Sequence, residues 1–479
     1  MAGRARPYRF GPRDRQGLIL GVRSSQAVLI ATTLVLAVGE LRAVHTPLRL
    51  PFAVLELVAG LAAAFLPVRG RTLEEWAPVV VRYSSGIVSG SHRSVTLPAK
   101  GARRTPAPFS GFSLLSLSNS GSGEIGALLD RRRGTLTGVL SLGGESFALL
   151  DDEERDRRVA AWSSVLAAVG NGAEPPFRVQ WLQRTVPDRR SAIRQRADAS
   201  SHSEGESTAI DAARRSYAGL VAAEASTALR HETLLAVSIQ QGGSTRLHRR
   251  SVVGSDSKEA SAERLVRALS TLRRRGLDAG LVVDGVLSCE GLSRVVRRSF
   301  ERGEPTAVSH PWPLACEETW SALRTDGTWH TTFWIAEWPR AEVGSDFLLP
   351  LLLEGGERRT LSMVMAPVAA HQAVQRAERA RTTATADGEL RRRHGFSRTA
   401  QATTQHESVA RREEELAAGH VGYRFSGYLV VTADSEADLE RSSARVEQAA
   451  AISRLELRRL FGAQGDAFVF GLPLGRGCS

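Results

Sequence analysis

Cysteine and lysine are scarce in this sequence. Its 479 residues include three cysteines, Cys289, Cys316 and Cys478, which form an odd and widely spaced set. That set excludes a disulfide scaffold and a zinc module of the usual ligand spacing. The two lysines, Lys100 and Lys258, lie in no Gly-rich phosphate loop, so the sequence excludes a P-loop nucleotide-hydrolysing site.

Other catalytic motifs are also missing. His231-Glu232 lacks the second histidine of a zinc peptidase, and the sequence contains no GxSxG elbow. Gly121 to Gly126 matches GxGxxG, but a turn and a strand pattern follow where a dinucleotide fold needs a helix. The sequence therefore predicts a protein that is not an enzyme and binds no cofactor or metal.

Positive charge is concentrated at the N-terminal end. Residues 1–100 contain thirteen Lys/Arg against five Asp/Glu, which accounts for eight of the twelve net positive charges. Residues 101–479 are therefore nearly balanced. Direct nucleic-acid binding is not the favoured interpretation, because such proteins need a dense basic footprint.

Two apolar segments near the N-terminus predict a transmembrane helical hairpin over residues 25–68. Pro51 to Val68 has eighteen residues and one charge, and as a helix it would rise about 27 Å, close to the thickness of a hydrocarbon core. Ala27 to Gly39 is shorter, uncharged and mostly apolar. A signal peptide is the alternative, but a second apolar segment after a short turn favours the hairpin.

The positive-inside rule predicts that both ends of the hairpin are cytosolic. Arginines lie before the first segment and after the second, so residues 1–24 are expected to form a basic cytosolic tail of an inner-membrane, multi-pass protein. Glu56 lies inside the second segment, where a carboxylate is costly and by default indicates function. Since no second ionisable group accompanies it, we favour a packing residue that faces Thr32 or Thr33.

Residues 69–100 are predicted to form a juxtamembrane helix and a linker. Thr72 to Glu75 matches a capping box, and apolar side chains follow at helical spacing. Because Trp76 and Tyr83 on this face are interface-seeking side chains, the helix is expected to lie along the inner leaflet. The alternative is a core helix of the soluble region.

Beyond residue 100 the patterns predict a cytosolic mixed α+β region with antiparallel sheets. Strands are predicted at 124–129, 135–142, 146–150, 177–184, 234–239, 280–283, 328–338, 359–366 and 423–432. Helices are predicted at 152–169, 209–229, 259–274, 290–300, 343–353, across 368–418 and at 435–460. We see no internal repeat of fixed period.

Six segments considered together resemble a known family. They are YRFGPRDRQGLILGV at 8–22, TLEEWAPVVVRY at 72–83, VQWLQRTVPD at 179–188, TFWIAEWPR at 332–340, ESVARREEELAAGH at 407–420 and LRRLFGAQGDAFVFGLPLGRG at 457–477. The set resembles actinobacterial conjugation and type IV secretion proteins. In those proteins a PrgI/VirB-three-like membrane hairpin is fused to the amino-terminal domain of a VirB-four/CagE-type secretion ATPase.

The resemblance implies an architecture and a set of partners. Residues 101–340 would be the first part of the α+β ATPase N-terminal-like domain and residues 341–479 the second, with the motor domain lacking. A separate P-loop secretion ATPase, other channel subunits, the lipid bilayer and further copies of the chain would be the partners. The alternative function is a membrane-tethered DNA-binding module that guides transferred DNA.

Two groups of residues are candidates for docking the motor. Arg411, Arg412, Glu413 and Glu415 lie on one predicted helix, where an intrahelical ion pair is the alternative. Trp334 and Trp338 are predicted to face one side of a strand, either in the core or as a partner contact.

Overall fold

Antiparallel strand pairing organises most of the chain in the computed structural model. Apart from single residues that include Tyr8 and Phe10, the structure describes residues 24–43, 49–68, 70–96, 105–119, 123–143, 149–172, 174–187, 229–241, 255–301, 310–353, 356–369, 371–375 and 420–478.

The helices of these residues are α1 (Ser24–Ala43), α2 (Arg49–Phe65), α3 (Leu73–Val88), α4 (Asp152–Gly170), α5 (Ser255–Asp278), α6 (Cys289–Arg297), α7 (Leu349–Leu353), α8 (Glu436–Ile452) and α9 (Gln464–Phe468). The strands are β1 (Pro67–Val68), β2 (Arg71–Thr72), β3 (Arg93–Val95), β4 (Phe112–Asn119), β5 (Gly123–Asp130), β6 (Thr135–Leu142), β7 (Arg178–Pro187), β8 (Leu229–Gln240), β9 (Val283–Val286), β10 (Ala315–Glu318), β11 (Leu323–Thr325), β12 (Thr328–Glu337), β13 (Arg358–Val368), β14 (Gly422–Ala433) and β15 (Glu456–Arg459).

One large sheet holds thirteen of these strands. Its order is β3-β10-β11-β12-β14-β13-β7-β8-β6-β5-β4, while β15 pairs with β12 and β9 pairs with β6. All of its strand pairs are antiparallel. The predicted mixed α+β fold with an antiparallel sheet is therefore confirmed.

The two halves of the sheet have the same connectivity. The first half follows the order β5-β6-α4-β7-β8-α5-β9-α6, and the second half repeats it as β11-β12-α7-β13-β14-α8-β15-α9. In the first half β6 pairs with β5, β8 and β9, and in the second β12 pairs with β11, β14 and β15. Because β7 and β13 pair antiparallel at the centre, a local twofold axis perpendicular to the sheet relates the halves.

Equivalent helix ends strengthen this correspondence. The amide N–H of Leu281, just after α5, donates to the carbonyl of Gly276, and the N–H of Leu455, just after α8, donates to the carbonyl of Ala450. Gly280 and Arg454 precede the two donors in left-handed conformations, with φ of 74° and 57°. The duplication lies in topology and hydrogen bonding, which explains why the sequence shows no period. The predicted division at residue 340 lies between β12 and β13, inside the second half.

Both faces of the sheet are covered by apolar side chains. On one face, α4 and α5 cover the first half, and α7 and α8 cover the second. On the other face, a single cluster joins Leu128 and Val139 of the first half to Val430 and Phe468 of the second. The two halves therefore share one hydrophobic cluster on this face.

Several predicted elements differ from those observed. The helix predicted at 435–460 ends at Ile452, after which β15 pairs with β12, and α7 is shorter than predicted. The patterns did not predict β4, β10 or β11. Most of the helices predicted at 209–229 and 368–418, and part of the 146–150 strand, lie outside the described residues.

Candidate membrane-anchoring site

Helices α1 and α2 pack antiparallel through small side chains. The side-chain amide of Gln26, at the start of α1, donates to the carbonyl oxygen of Ala64, at the end of α2, over 2.8 Å. A Cβ at Gly60 would lie 2.4 Å from Cγ2 of Thr33, so the helices approach closely only because residue 60 has no side chain. Ala37 and Ala53 are also buried.

The large apolar side chains of these helices point outward. Val35 is 69% exposed, and Leu34, Val54, Leu55 and Val58 are each more than half exposed. Small residues inside and large apolar residues outside reverse the pattern of a water-soluble helix pair and are typical of helices packed in lipid. By length and composition, Ser25–Arg42 qualifies as a candidate membrane span, whereas Leu50–Phe65 is a shorter apolar helix.

Glu56 lies on the same face of α2 as Gly60, one turn before it. One oxygen of its carboxylate is buried without a hydrogen-bond partner among the described residues. The hydroxyl of Thr32 donates to the carbonyl of Val28, and that of Thr33 to carbonyls of α1. Neither threonine hydroxyl therefore donates to the carboxylate, and the interpretation of Glu56 as a packing residue stays a prediction.

The aromatic side chains of α3 contact the body of the protein. The ring of Trp76 stacks on Trp320 at 5.7 Å, and Tyr83 packs edge-on against the same indole at 5.1 Å. Phe461, just after β15, lies 6.2 Å from Trp76. Both rings therefore pack on Trp320, although no side chain of α3 is buried, and the expectation that α3 lies along the leaflet stays a prediction.

A second face of α3 remains apolar and uncovered. Val81 is 68% exposed and Val88 is 89% exposed, and Leu73, Val80 and Ile87 are also exposed. At 100° per residue these five side chains form one stripe beside the aromatic face. Helix α3 thus presents one apolar face to the body and another to its surroundings.

Polar contacts fasten the hairpin and α3 to the body. Ser25 Oγ of α1 donates to the Glu74 carboxylate of α3 over 3.2 Å. Arg458 of β15 donates to the carbonyl of Gly70 over 2.7 Å, and Arg82 of α3 pairs with Asp466 at 2.6 Å. Both ends of the hairpin therefore lie on the side of the body.

Buried charge occurs beside this junction. Burial raises the pKa of the Glu318 carboxyl above its ordinary value, and that carboxyl accepts a hydrogen bond from the Gly465 N–H over 3.0 Å. Burial also lowers the pKa of Arg71, whose guanidinium lies 5.4 Å from the Trp76 ring centroid. The charged groups of Glu318 and Arg71 at the junction are thus partly shielded from water.

The N-terminal tail docks at a separate place on the body. Tyr8 exchanges two backbone hydrogen bonds with Val343, at 2.9 and 3.0 Å. The ring of Phe10 stacks on Trp338 at 5.1 Å and packs edge-on against Phe347 at 5.4 Å. The partner of Trp338 is therefore the chain's own N-terminal segment, and no sequence pattern pointed to that contact.

Trp334 and Trp338 lie on opposite faces. The register of β12 against β15 shifts between Ile335 and Glu337, and such a bulge reverses the alternation of side chains beyond it. Trp338 and Ile335 both pack into the core beneath α8, whereas Trp334 pairs across the sheet with Tyr428, whose side chain points to the other face. The prediction that the two indoles share a side is wrong because of the bulge.

The remaining predicted docking residues, Arg411, Arg412, Glu413 and Glu415, lie outside the described residues. No group of three or more His, Cys, Asp or Glu within the described ranges could hold a metal ion. Burial raises the pKa of Cys316, which packs in the shared core.

The fold and this junction define a class: a mixed α+β body joined to an apolar helical hairpin. No protein-family model and no curated protein sequence matches the chain.

Proposed function

We propose that this protein is a non-enzymatic inner-membrane component of a conjugative or type IV secretion apparatus that anchors and recruits a separate ATPase motor. The observation that carries the membrane part is the packing of α1 on α2 through Gly60 and small side chains, with large apolar side chains turned outward. The secretion part rests on the resemblance of six sequence segments to actinobacterial conjugation and type IV secretion proteins.

The outer surface of the hairpin is apolar enough to be stable in lipid. Moving one large apolar side chain from water into an apolar medium is worth roughly 1.5–3 kcal/mol, and more than ten such side chains are exposed on α1 and α2. A bilayer would cover them without any change in the packing of the two helices. The apolar stripe of α3 would then lie in the headgroup region of the same leaflet.

The orientation follows from the contacts at the junction. Both hairpin ends lie beside the body through the Ser25–Glu74 and Gly70–Arg458 hydrogen bonds. The arginines that flank the hairpin favour the cytosol, so the body would lie on the cytosolic face. A motor bound to such a body is held near the channel, because tethering raises its effective concentration.

Fractionation of cells tests the membrane part. We expect the full chain to sediment with membranes, to resist alkaline carbonate and to be released by detergent. A Val35→Asp/Val54→Asp variant should become carbonate-extractable, since each carboxylate adds about 2.5–3.5 kcal/mol to insertion. Leu149→Asp, at a site 85% exposed on the body, is the matched control. Recovery of the wild type in the aqueous fraction would refute the anchor.

Co-purification tests the recruiting part. The detergent-solubilised chain should bring with it a P-loop ATPase encoded by a separate polypeptide, together with other channel subunits. Purified alone, the chain should hydrolyse no nucleotide. If it instead bound DNA tightly, with steep salt dependence and no ATPase partner, the membrane-tethered DNA-binding alternative would replace this proposal.

A further inference from the structure

A small cavity lies where β7 ends and β13 begins, close to the local twofold axis. Its volume is about 20 Å³, and its lining includes four arginines, Arg184, Arg298, Arg358 and Arg359. Thr432 and Phe468 complete it on the side of the second half. The cavity therefore collects positive charge inside the protein.

Arg184 is almost completely buried, with a side chain 3% exposed. It donates to the carbonyl oxygen of Val295 and to the hydroxyl of Ser299, both at 3.1 Å. The carboxylate that accompanies it, Glu232, lies at 3.7 Å and binds Arg298 more closely, at 2.5 Å. The hydrogen bonds of Arg184 within the described residues thus go to neutral groups.

Arg358 also hydrogen-bonds to a neutral group. It donates to the carbonyl oxygen of Glu301 at 2.5 Å, and the carboxylate that accompanies it, Asp434, lies 3.9 Å away and is half exposed. Its Nη1 atom, the one that faces Asp434 at 3.9 Å, is buried and makes no hydrogen bond among the described residues. A buried N–H of a charged group without an acceptor is strongly unfavourable.

The charge of Arg358 is not removed by deprotonation at neutral pH. Burial and the neighbouring Arg184 lower the pKa of Arg358 to about 10, which leaves the guanidinium protonated at pH 7. Burial likewise lowers the pKa of Arg184. The two dehydrated cations repel each other, and Glu232 and Asp434 lie beyond hydrogen-bond distance of them, at 3.7 and 3.9 Å. No carboxylate is among the described residues that line the cavity, so an anion inside it would add compensation at close range.

We propose that this cavity binds a small inorganic anion of the chloride class. Its volume is about that of one or two water positions, which suits a monatomic ion and is too small for a nucleotide or a phosphate group. An anion there would accept from Arg358 Nη1 and neutralise charge shared by residues of both halves. The ion would act as a structural ligand that ties the end of β7 to the start of β13.

The twofold arrangement supplies a matched control. Arg178 begins β7 as Arg358 begins β13, and it too donates to backbone carbonyls of the opposite half, at Gly475 and Cys478. Arg178 does not line the cavity. Replacing either arginine by glutamine therefore removes similar carbonyl contacts, but only Arg358→Gln removes a wall of the anion site.

The test is thermal unfolding of the full chain in detergent, with chloride replaced stepwise by gluconate at constant ionic strength. We expect the wild-type midpoint to rise with chloride and to saturate, and bromide to substitute for it. Arg178→Gln should keep the same half-saturating chloride concentration, whereas Arg358→Gln should raise it at least tenfold.

Three results would overturn the proposal. The first is a wild-type midpoint that is independent of chloride. The second is stabilisation by phosphate or sulfate but not by chloride, which would contradict the size of the site. The third is an unchanged chloride response in Arg358→Gln. If that variant fails to fold, the wild-type titration with bromide, phosphate and gluconate still tests whether the protein binds a small anion.

Discussion

At the residue scale, His330 illustrates how burial fixes a protonation state. Its ring is fully buried on β12, and its nitrogens hydrogen-bond to the hydroxyls of Thr325 at 2.7 Å and Thr432 at 2.9 Å. Burial lowers the pKa of His330 from 6.5 to about 3. The equivalent position in the first half is Thr137, which hydrogen-bonds to Ser238 at 2.7 Å, so both halves place a polar pair at this point of the sheet.

This burial predicts a pH dependence of stability. Above pH 6.5 the histidine is neutral in both states. Below that value the unfolded chain takes up a proton that the folded chain takes up only near pH 3, so stability falls by about 1.4 kcal/mol per pH unit from this group. The free energy of unfolding, measured in urea between pH 4.5 and 7.5, should change less steeply with pH in His330→Gln than in the wild type. His371→Gln, at an exposed site, is the control. The same pH dependence of stability in all three proteins would contradict the lowered pKa of His330.

Gly60 provides a second prediction at this scale. Because its Cβ would meet Thr33 at 2.4 Å, Gly60→Leu should force α2 away from α1. Gly39→Leu, where nothing lies within 4 Å, should not. The measurement is the oxidative disulfide yield of a Gln26→Cys/Ala64→Cys pair in detergent, which we expect to fall severalfold only in the Gly60 variant. A full yield there would mean that the helices do not touch at Gly60.

At the element scale, the sequence predicted most long elements because their apolar periodicity is strong. Strands β6 and β14 and helices α4 and α5 agree with prediction to within a few residues. It missed β10 and β11 because three- and four-residue strands carry no periodic signal. The helix predicted to run to residue 460 stops earlier because the pairing of β15 with β12 overrides a helical pattern.

The N-terminal tail is the element whose role came only from the structure. Phe10→Ala should release the tail from Trp338, Phe347 and Phe425, since the Phe10 ring contacts all three. We expect trypsin to cleave within residues 1–23 severalfold faster in this variant than in the wild type. Leu149→Ala, on an exposed site, should cleave at the wild-type rate; equal rates for Phe10→Ala would show that the tail is not held there.

At the scale of the whole molecule, the shared core predicts that the two halves unfold together. Val139 of the first half is fully buried in the cluster that also contains Val430 and Phe468 of the second. Val139→Ala should therefore destabilise the second half as well, by about 2 kcal/mol. Thiol labelling of the buried Cys478 in urea should shift to a lower midpoint, together with the circular dichroism signal.

The control for cooperativity is Val374→Ala, at an exposed site, which should leave both midpoints unchanged. A Cys478 midpoint that stays fixed while the dichroism splits into two steps would show that the halves are independent. Coincidence of the two probes is the ordinary criterion for a single cooperative unit.

The sequence by itself determined the class of secondary structure, the two apolar helices and the concentration of arginine around them, because composition and short-range periodicity are local properties. Only the tertiary structure decided that the chain is a twofold duplication. It also decided that Trp76 contacts the body and that Trp338 contacts the N-terminal tail. It also placed Arg184 beside Arg358. These outcomes depend on which strands pair across more than a hundred residues and on one bulge in β12, and long-range pairing and register leave no periodic trace in the order of amino acids.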